Sequence, residues 1–305
     1  MNEKLEAGIK RLVDEFQSNG KPCASKQSVY QRRAGYIASS YLGGDSPKLE
    51  SEFTDILNGV QVKIYKPSSG VCLPIIIYFH GGCFISGGIE THQPQLRQLA
   101  RLSNSIVVCI KYRLAPEYKY PAAHDDVYQA VIGIKQHGNK YGGNPQKISF
   151  IGDSAGGHLA LATTLRLRRF SSWLPRNLIL IYPMLDPKGR SQSYKKFGTD
   201  YIITAKTLLS GFELYSNVDS EVIEHELDLL KCDFGGLPST TIITAEFDPL
   251  CDEGKRLYQL MQSHGVDVCL DHYLGVIHGF FQLAAISDSA KLCINEVAKK
   301  VNRAT

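Results

Sequence analysis

The sequence predicts an α/β fold, in which a mostly parallel central sheet is covered by helices on both faces and carries a helical cap. Short β-branched, apolar stretches recur along the chain, and helical stretches separate most of the later ones. These strand-like stretches are almost continuously apolar, as strands buried on both faces are. At 305 residues, 43% of them hydrophobic and 21% charged, the chain is expected to form one domain over residues 1–305.

The first 45 or so residues are predicted to be helical. Residues 28–42 have the composition of one helix, and the residues from Gly43 to Pro47 end it, because glycine and proline interrupt helical structure. An earlier helix is indicated by apolar residues at helical spacing: Leu5, Ile9, Leu12 and Phe16.

Strands are predicted to begin near residue 60. They cover residues 60–65, 75–79, 106–110, 148–151, 178–182, 240–244 and 268–272. Between Leu185 and Leu237 the alternation lapses, although aromatic and aliphatic residues continue. We interpret residues 190–235 as a helical insertion that forms, with residues 1–45, a cap over the carboxyl ends of the strands. The same pattern also fits ordinary helices that cover the sheet.

The stretch from Gly152 to Gly157 reads Gly-Asp-Ser-Ala-Gly-Gly and lies between a predicted strand and a predicted helix. A serine between glycines at such a turn matches the nucleophile-elbow pattern G-x-S-x-G, in which the hydroxyl projects above the sheet. The helix that follows directs its N–H groups and positive dipole end toward the serine. We therefore predict that Ser154 is a nucleophile, the alternative being a chance glycine-rich turn.

A second motif follows the predicted strand at residues 74–79. It reads His80-Gly81-Gly82-Cys83 and is typical of the loop that supplies half of an oxyanion hole. Two adjacent glycines alone would indicate only a turn. Their occurrence upstream of a nucleophile elbow favours the functional interpretation.

These motifs and others in the same order resemble the hormone-sensitive-lipase-like esterases of the α/β-hydrolase superfamily, from about residue 80 to about residue 280. The resemblance implies the α/β-hydrolase fold, serine esterase chemistry and a cap that lines the substrate pocket. The further matching motifs are Tyr112-Arg113-Leu114-Ala115-Pro116-Glu117, Tyr120-Pro121-Ala122-Ala123, Gly142-Gly143-Asn144-Pro145, Asp248-Pro249-Leu250, Asp252-Glu253-Gly254 and His278-Gly279-Phe280.

A serine hydroxyl needs an adjacent base, which a carboxylate orients, and in this superfamily the order along the chain is Ser, Asp or Glu, then His. His278, in a loop after the last predicted strand, is the expected base. Asp248, at the end of the preceding strand, is the expected acid, and Asp186 is its rival. His80 is expected to support the oxyanion loop, and His158 lies inside the helix after the serine.

The oxyanion hole is expected to comprise the backbone N–H groups of Gly81, Gly82, Cys83 and Ala155. Cys83 stands where the family usually has a third glycine. Its Cβ restricts φ and its thiol occupies pocket volume, which affects substrate range more than activity. His158 stands where the family usually has Asn.

Five charged residues in or near these motifs are expected to have structural roles. Asp153, beside the serine, is one of them. Arg113 and Glu117 are expected to pair and to fix the loop beside the elbow. Asp252 and Glu253 are expected to begin a helix, where acidic groups are stabilised.

The leading hypothesis is a carboxylic ester hydrolase that acts on small esters of short to medium acyl chain length. An amidase, peptidase or deacetylase could use the same machinery. A third hypothesis is a non-catalytic small-molecule receptor, since some relatives of this fold have become receptors. The presence of His278 disfavours this hypothesis.

Composition excludes several other classes. A net charge of +4 without a basic block gives no indication of nucleic-acid binding, and no run of about 18 apolar residues predicts a transmembrane helix. The charged N-terminus lacks the apolar core of a signal peptide, so secretion is not expected, and the eight scattered cysteines are expected to be reduced thiols in the cytoplasm. No ligand spacing predicts a metal, and no cofactor is expected. Relatives commonly dimerise through an edge strand, so a homodimer is compatible with the resemblance.

Overall fold

The computed structural model describes residues 4–20, 23–216 and 224–304. Residues 217–223, inside the predicted insertion, therefore lie outside the described residues. The strands are β1 (Ser51–Leu57), β2 (Val60–Lys66), β3 (Leu73–Phe79), β4 (Ile106–Ile110), β5 (Gly143–Asp153), β6 (Asn177–Ile181), β7 (Ser239–Phe247) and β8 (Val268–Ile277).

Within the described residues these strands form one eight-stranded sheet in the order β1-β2-β4-β3-β5-β6-β7-β8. The β1–β2 and β2–β4 pairs are antiparallel, and the remaining neighbours are parallel. The helices are α1 (Ala7–Ser18), α2 (Val29–Ala38), α3 (Ile89–Ser103), α4 (Ala122–His137), α5 (Ala155–Phe170), α6 (Gln192–Phe197), α7 (Ala205–Tyr215), α8 (Glu224–Leu227), α9 (Cys251–Ser263) and α10 (Asp288–Ala304). Across the described ranges, no helix combines the length and apolarity needed to cross a membrane.

The inner strands β3, β4 and β6 are buried on both faces, which confirms the predicted fold class. Successive side chains of a strand point to opposite faces. In β3, Ile75 and Ile77 belong to the apolar cluster that contains residues of α4, α5 and α9. Ile76 and Tyr78 belong to the cluster that contains residues of α1, α3 and α10. The continuous apolar run of β3 is therefore required by two cores at once.

The sequence prediction missed β1. This strand pairs with β2 alone and lies at the edge of the sheet. Its side chains are mostly accessible, and Ile56 is 66% exposed. An edge strand with a solvent-exposed face needs no apolar run, so Ser51–Leu57 lacks the signal that marks the other strands.

The N-terminal helices and the described part of the insertion contact each other. Helix α2 begins with a capping box, in which the Ser28 hydroxyl accepts the Gln31 N–H and the Ser28 N–H donates to the Gln31 side chain. The guanidinium of Arg32 in α2 donates to the Ser210 hydroxyl of α7 at 3.0 Å. Both segments contribute to the wall of the cavity described next.

Candidate active site

Ser154 lies at the turn between β5 and α5, with φ 54° and ψ −119°. A non-glycine residue rarely adopts this backbone conformation, and here the surrounding backbone holds it. A Cβ on Gly152 would lie 2.3 Å from the Gly156 carbonyl oxygen, and one on Gly156 would lie 1.9 Å from that of Phe79. Both glycines of the motif are thus required by close backbone contacts around the serine.

The structure brings the three residues predicted for catalysis together. The Ser154 Oγ lies 3.0 Å from His278 Nε2, and His278 Nδ1 lies 2.8 Å from Asp248 Oδ2. Asp248 directly follows β7, and His278 directly follows β8, the neighbouring strand. Ser154 is 4%, His278 7% and Asp248 0% exposed. The carboxyl ends of three parallel strands therefore supply a buried chain of hydroxyl, imidazole and carboxylate.

Two further contacts fix these three hydrogen-bonded side chains. The second carboxylate oxygen of Asp248 accepts the Leu250 N–H at 2.8 Å. The ring of Tyr182, which follows β6, lies 4.7 Å from the His278 ring between centroids. Asp186 is held elsewhere, because its carboxylate accepts hydrogen bonds from the Arg190 side chain.

The loop after β3 runs with three consecutive residues at positive φ. Gly82 has φ +126°, followed by Cys83 at 55° and Phe84 at 63°. The Gly82 carbonyl accepts the N–H groups of Ile85 and Ser86 at 3.1 and 2.9 Å. Cys83, where the family usually has glycine, adopts the left-handed conformation that glycine favours.

Cys83 also contacts the insertion. A Cβ on Gly211 of α7 would lie 2.6 Å from the Cβ and the carbonyl oxygen of Cys83, so the helix backbone packs directly on the loop. Burial raises the pKa of the Cys83 thiol to about 12, which leaves it protonated at neutral pH.

The four backbone donors predicted for the oxyanion hole differ in what they bind. The Gly81 N–H donates to the Asp153 carboxylate at 3.0 Å. The N–H groups of Gly82, Cys83 and Ala155 have no acceptor within the described part of the chain. These three remain free to bind an incoming oxygen atom, whereas Gly81 shapes the loop.

Asp153 is a buried anchor between the loop and the elbow. Its carboxylate accepts the Tyr78 hydroxyl at 2.9 Å and lies 3.1 Å from His92 Nε2. Burial alone would raise the pKa of Asp153, but His92 and the hydrogen bonds from His92 and Tyr78 hold it below its usual value. No sequence motif indicated His92, which lies in the first turn of α3.

His80 and His158 both have supporting contacts. His80 stacks on Tyr112 with 4.1 Å between ring centroids, and burial lowers its pKa to about 3. His158 Nδ1 lies 2.8 Å from the Met184 carbonyl oxygen, and its Nε2 lies 3.0 Å from that of Glu226. Burial lowers the pKa of His158 to about 4. His158 therefore connects the helix after the serine to the insertion.

The prediction that Arg113 pairs with Glu117 is wrong. Arg113 donates to Asp126 of α4 at 2.7 Å, and Glu117 accepts from Arg33 of α2 at 2.7 Å. The chain turns between the two residues, so each meets a partner distant in sequence. The acidic start of α9 is confirmed, and its Glu253 also accepts two backbone N–H groups beside β6.

A cavity of about 560 Å³ opens onto the Ser154 hydroxyl. Most of its wall is apolar, and α1, α2 and residues 202–207 contribute to it. Among the described residues, no cluster of three or more His, Cys, Asp or Glu side chains could hold a metal ion. Sequence reasoning missed two residues of the cavity wall, Tyr182 and Arg32, because each belongs to a segment with no catalytic motif.

Comparisons with known proteins agree with this geometry. The model of the alpha/beta hydrolase fold family matches residues 76–282. The chain is 28% identical to the ethyl acetate hydrolase of Pseudomonas putida, over 95% of each chain. It is 32% identical to the carboxylesterase NlhH of Mycobacterium tuberculosis, over 77% of this chain and 76% of that one.

Solved structures are similar over nearly the whole chain. A hyperthermophilic esterase from the archaeon Pyrobaculum calidifontis is 29% identical, with a TM-score of 0.92 and 98% of each chain covered. An alpha/beta hydrolase enzyme from the metagenome of Lake Arreo is 30% identical, with the same TM-score and coverage. The chain belongs to the alpha/beta hydrolase fold family, in its hormone-sensitive-lipase-like group of esterases.

Proposed function

We propose that this protein is a serine carboxylic ester hydrolase that acts on small esters of short to medium acyl chain length. The observation that carries the proposal is the buried chain from Ser154 Oγ through the His278 imidazole to the Asp248 carboxylate, with distances of 3.0 and 2.8 Å. That chain faces a mostly apolar cavity, and the related proteins named above are esterases.

The first half of the reaction forms an acyl-enzyme. With its proton on Nδ1, His278 donates to Asp248 and accepts the Ser154 hydroxyl proton at Nε2. The Ser154 oxygen attacks the ester carbonyl carbon, and the imidazolium then gives its proton to the departing alcohol. Because Asp248 is buried and also accepts the Leu250 N–H, it holds the imidazole in one orientation.

The oxyanion of the tetrahedral intermediate is stabilised by three backbone donors, those of Gly82, Cys83 and Ala155. One such donor typically contributes about 10²- to 10³-fold in turnover. Ala155 is the first residue of α5, so the positive end of the helix dipole adds to the stabilisation. Gly81 contributes indirectly, because its N–H fixes the loop to Asp153.

In the second half, water replaces the alcohol. His278 takes a proton from water, which attacks the acyl carbon, and then returns the proton to Ser154 as the acid leaves.

We further propose that residues 1–45 and 190–235 form a cap on a single domain. Two observations support this assignment: Arg32 in the first segment donates to Ser210 in the second, and both segments contribute residues to the cavity wall.

The decisive experiment compares the purified protein with Ser154→Ala on p-nitrophenyl acetate. We expect Ser154→Ala to lose at least about 10³-fold in kcat, because the nucleophile is removed. Ser263→Ala is the matched control, since Ser263 is an exposed serine of α9. A fluorophosphonate probe should label the wild type at Ser154. Wild-type turnover in Ser154→Ala, or no labelling, would contradict the proposed mechanism.

Two substrate series test the finer points. Across p-nitrophenyl acetate, butyrate, octanoate and laurate, we expect kcat/KM to fall for the longest chains, because the cavity is about 560 Å³. Anilides with the same acyl groups distinguish an esterase from an amidase. Faster hydrolysis of the anilides, or a preference for laurate, would overturn the corresponding part of the proposal.

A further inference from the structure

Arg32 is a buried cation in the wall of the cavity that contains Ser154. It lies in α2, is 9% exposed, and lines the cavity together with Cys83 and His278. Its Nε donates to the Ala24 carbonyl at 2.5 Å, and its Nη1 donates to the Ser210 hydroxyl at 3.0 Å. These two contacts fix the guanidinium in place without neutralising it.

No carboxylate in the described ranges lies within 4.0 Å of this guanidinium as an ion-pair partner. Arginine carries five N–H donors, and the two contacts above use two of them. The Nη2 group has no acceptor among the described residues, yet it is not sealed from solvent. The neighbouring Arg33 differs, because its Nη atoms bind Glu117.

Other charged groups on the cavity wall do not satisfy Arg32. Glu15 of α1 lines the same cavity but is exposed to solvent. The Asp153 carboxylate already accepts the Gly81 N–H and the Tyr78 hydroxyl and contacts His92. The positive charge is therefore uncompensated inside a mostly apolar cavity.

Burying a charge without a partner is costly, so a buried guanidinium in a binding cavity indicates an anionic ligand. Carboxylates suit arginine in particular, because two parallel hydrogen bonds can form. A neutral alkyl ester would leave the Arg32 charge unsatisfied and would exclude water from it.

We propose that the preferred substrate is an ester that also carries a carboxylate, which binds the Arg32 guanidinium while Ser154 attacks the ester carbonyl. This inference rests on the proposed esterase function and specifies its substrate class. The carboxylate lies either on the acyl side, as in the monoester of a dicarboxylic acid, or on the alcohol side, as in the acyl ester of a hydroxy acid.

The experiment uses matched pairs that differ only in charge. Monoethyl succinate is compared with its neutral amide, ethyl succinamate, for the acyl side. For the alcohol side, 3-acetoxypropanoate is compared with 3-acetoxypropanamide. In one of the two pairs we expect the wild type to favour the anion about 10- to 100-fold in kcat/KM, the range of a charge-assisted hydrogen bond.

Two variants locate the effect. Arg32→Gln should abolish the preference for the anion, because kcat/KM for the anionic ester should fall much further than kcat/KM for its neutral partner. Arg11→Gln removes an equal charge from an exposed position of α1 and should keep the preference. Thermal unfolding of each variant checks that it folds. The ratio of kcat/KM between the anionic and the neutral ester is measured on the wild type, so it tests the inference even if a variant fails to fold.

The inference is overturned by a wild-type ratio near or below one in both pairs. It is also overturned if Arg32→Gln lowers hydrolysis of anionic and neutral esters equally, since that result indicates a structural role between α2 and α7. These results leave the esterase proposal intact. No hydrolysis of any ester by the wild type would overturn both.

Discussion

The loop after β3 provides the sharpest test of how backbone conformation controls activity. Gly82 has φ +126°, a region that residues with a Cβ avoid. A Cβ built there would lie 2.0 Å from the Ser86 carbonyl oxygen. Because that neighbour is backbone rather than a flexible side chain, Gly82→Ala can be accommodated only if the loop moves.

The expected magnitude follows from the contacts that move. A strained backbone conformation costs about 1–3 kcal/mol, so we expect the free energy of unfolding to fall by that amount or more. The shift also displaces the Gly82 and Cys83 N–H groups from the oxyanion. We therefore expect kcat for p-nitrophenyl acetate to fall at least about 100-fold.

Cys83→Gly is the matched control in the same loop. Glycine adopts the φ of 55° without strain, which gains about 1 kcal/mol, and this gain offsets the greater entropy of glycine in the unfolded chain. The N–H donor is retained. We expect kcat within about threefold of the wild type and the free energy of unfolding within about 1 kcal/mol.

The assays are steady-state kinetics and urea denaturation of the wild type and both variants. Wild-type kcat in Gly82→Ala would refute the assignment of this loop to the oxyanion hole. Equal losses in Gly82→Ala and Cys83→Gly would refute the argument from φ and close backbone contact.

Two further predictions concern buried groups near the serine. His80 and His158 have pKa values of about 3 and about 4 in the folded protein, below the ordinary 6.5, so their contribution to stability is complete above pH 6.5 and is lost as the pH falls. At pH 5 each of these histidines should lower the free energy of unfolding, measured by urea denaturation, by about 2 kcal/mol relative to neutral pH. His158→Asn should remove the loss of stability that His158 causes. A pH profile of stability in that variant equal to the wild type's would contradict the assignment. Asp153→Asn should lower the free energy of unfolding by about 1–3 kcal/mol and reduce kcat, because the Tyr78 and His92 contacts and the loop lose their anionic partner; a fully stable, fully active variant would contradict that role.

Local patterns sufficed for the fold because burial on both faces imposes a sequence signal. The inner strand β3 packs into an apolar core on each face and is almost continuously apolar, and this signal is readable without coordinates. The elbow was readable for a similar reason, since the 1.9 Å approach of a Gly156 Cβ to the Phe79 carbonyl permits only glycine. The edge strand β1 carries no such constraint and was missed.

Contacts between distant segments were not readable. Arg113 and Glu117 are near each other in sequence, but their partners are Asp126 and Arg33, which only the path of the chain brings near. Arg32 is indistinguishable from Arg33 in the sequence, although one lines the cavity and the other forms an exposed ion pair. Such differences depend on which side of a helix meets which neighbour.

The proposed reactive side chains all follow strands of the sheet, whereas much of the cavity wall comes from α1, α2 and residues 202–207. In the proposed enzyme, the groups that set the rate and many of those that set selectivity are consequently encoded in separate stretches of the gene. Mutations in the wall can change which molecules are accepted without disturbing the attacking group, so a laboratory evolution library restricted to those stretches should retain a high proportion of functional clones.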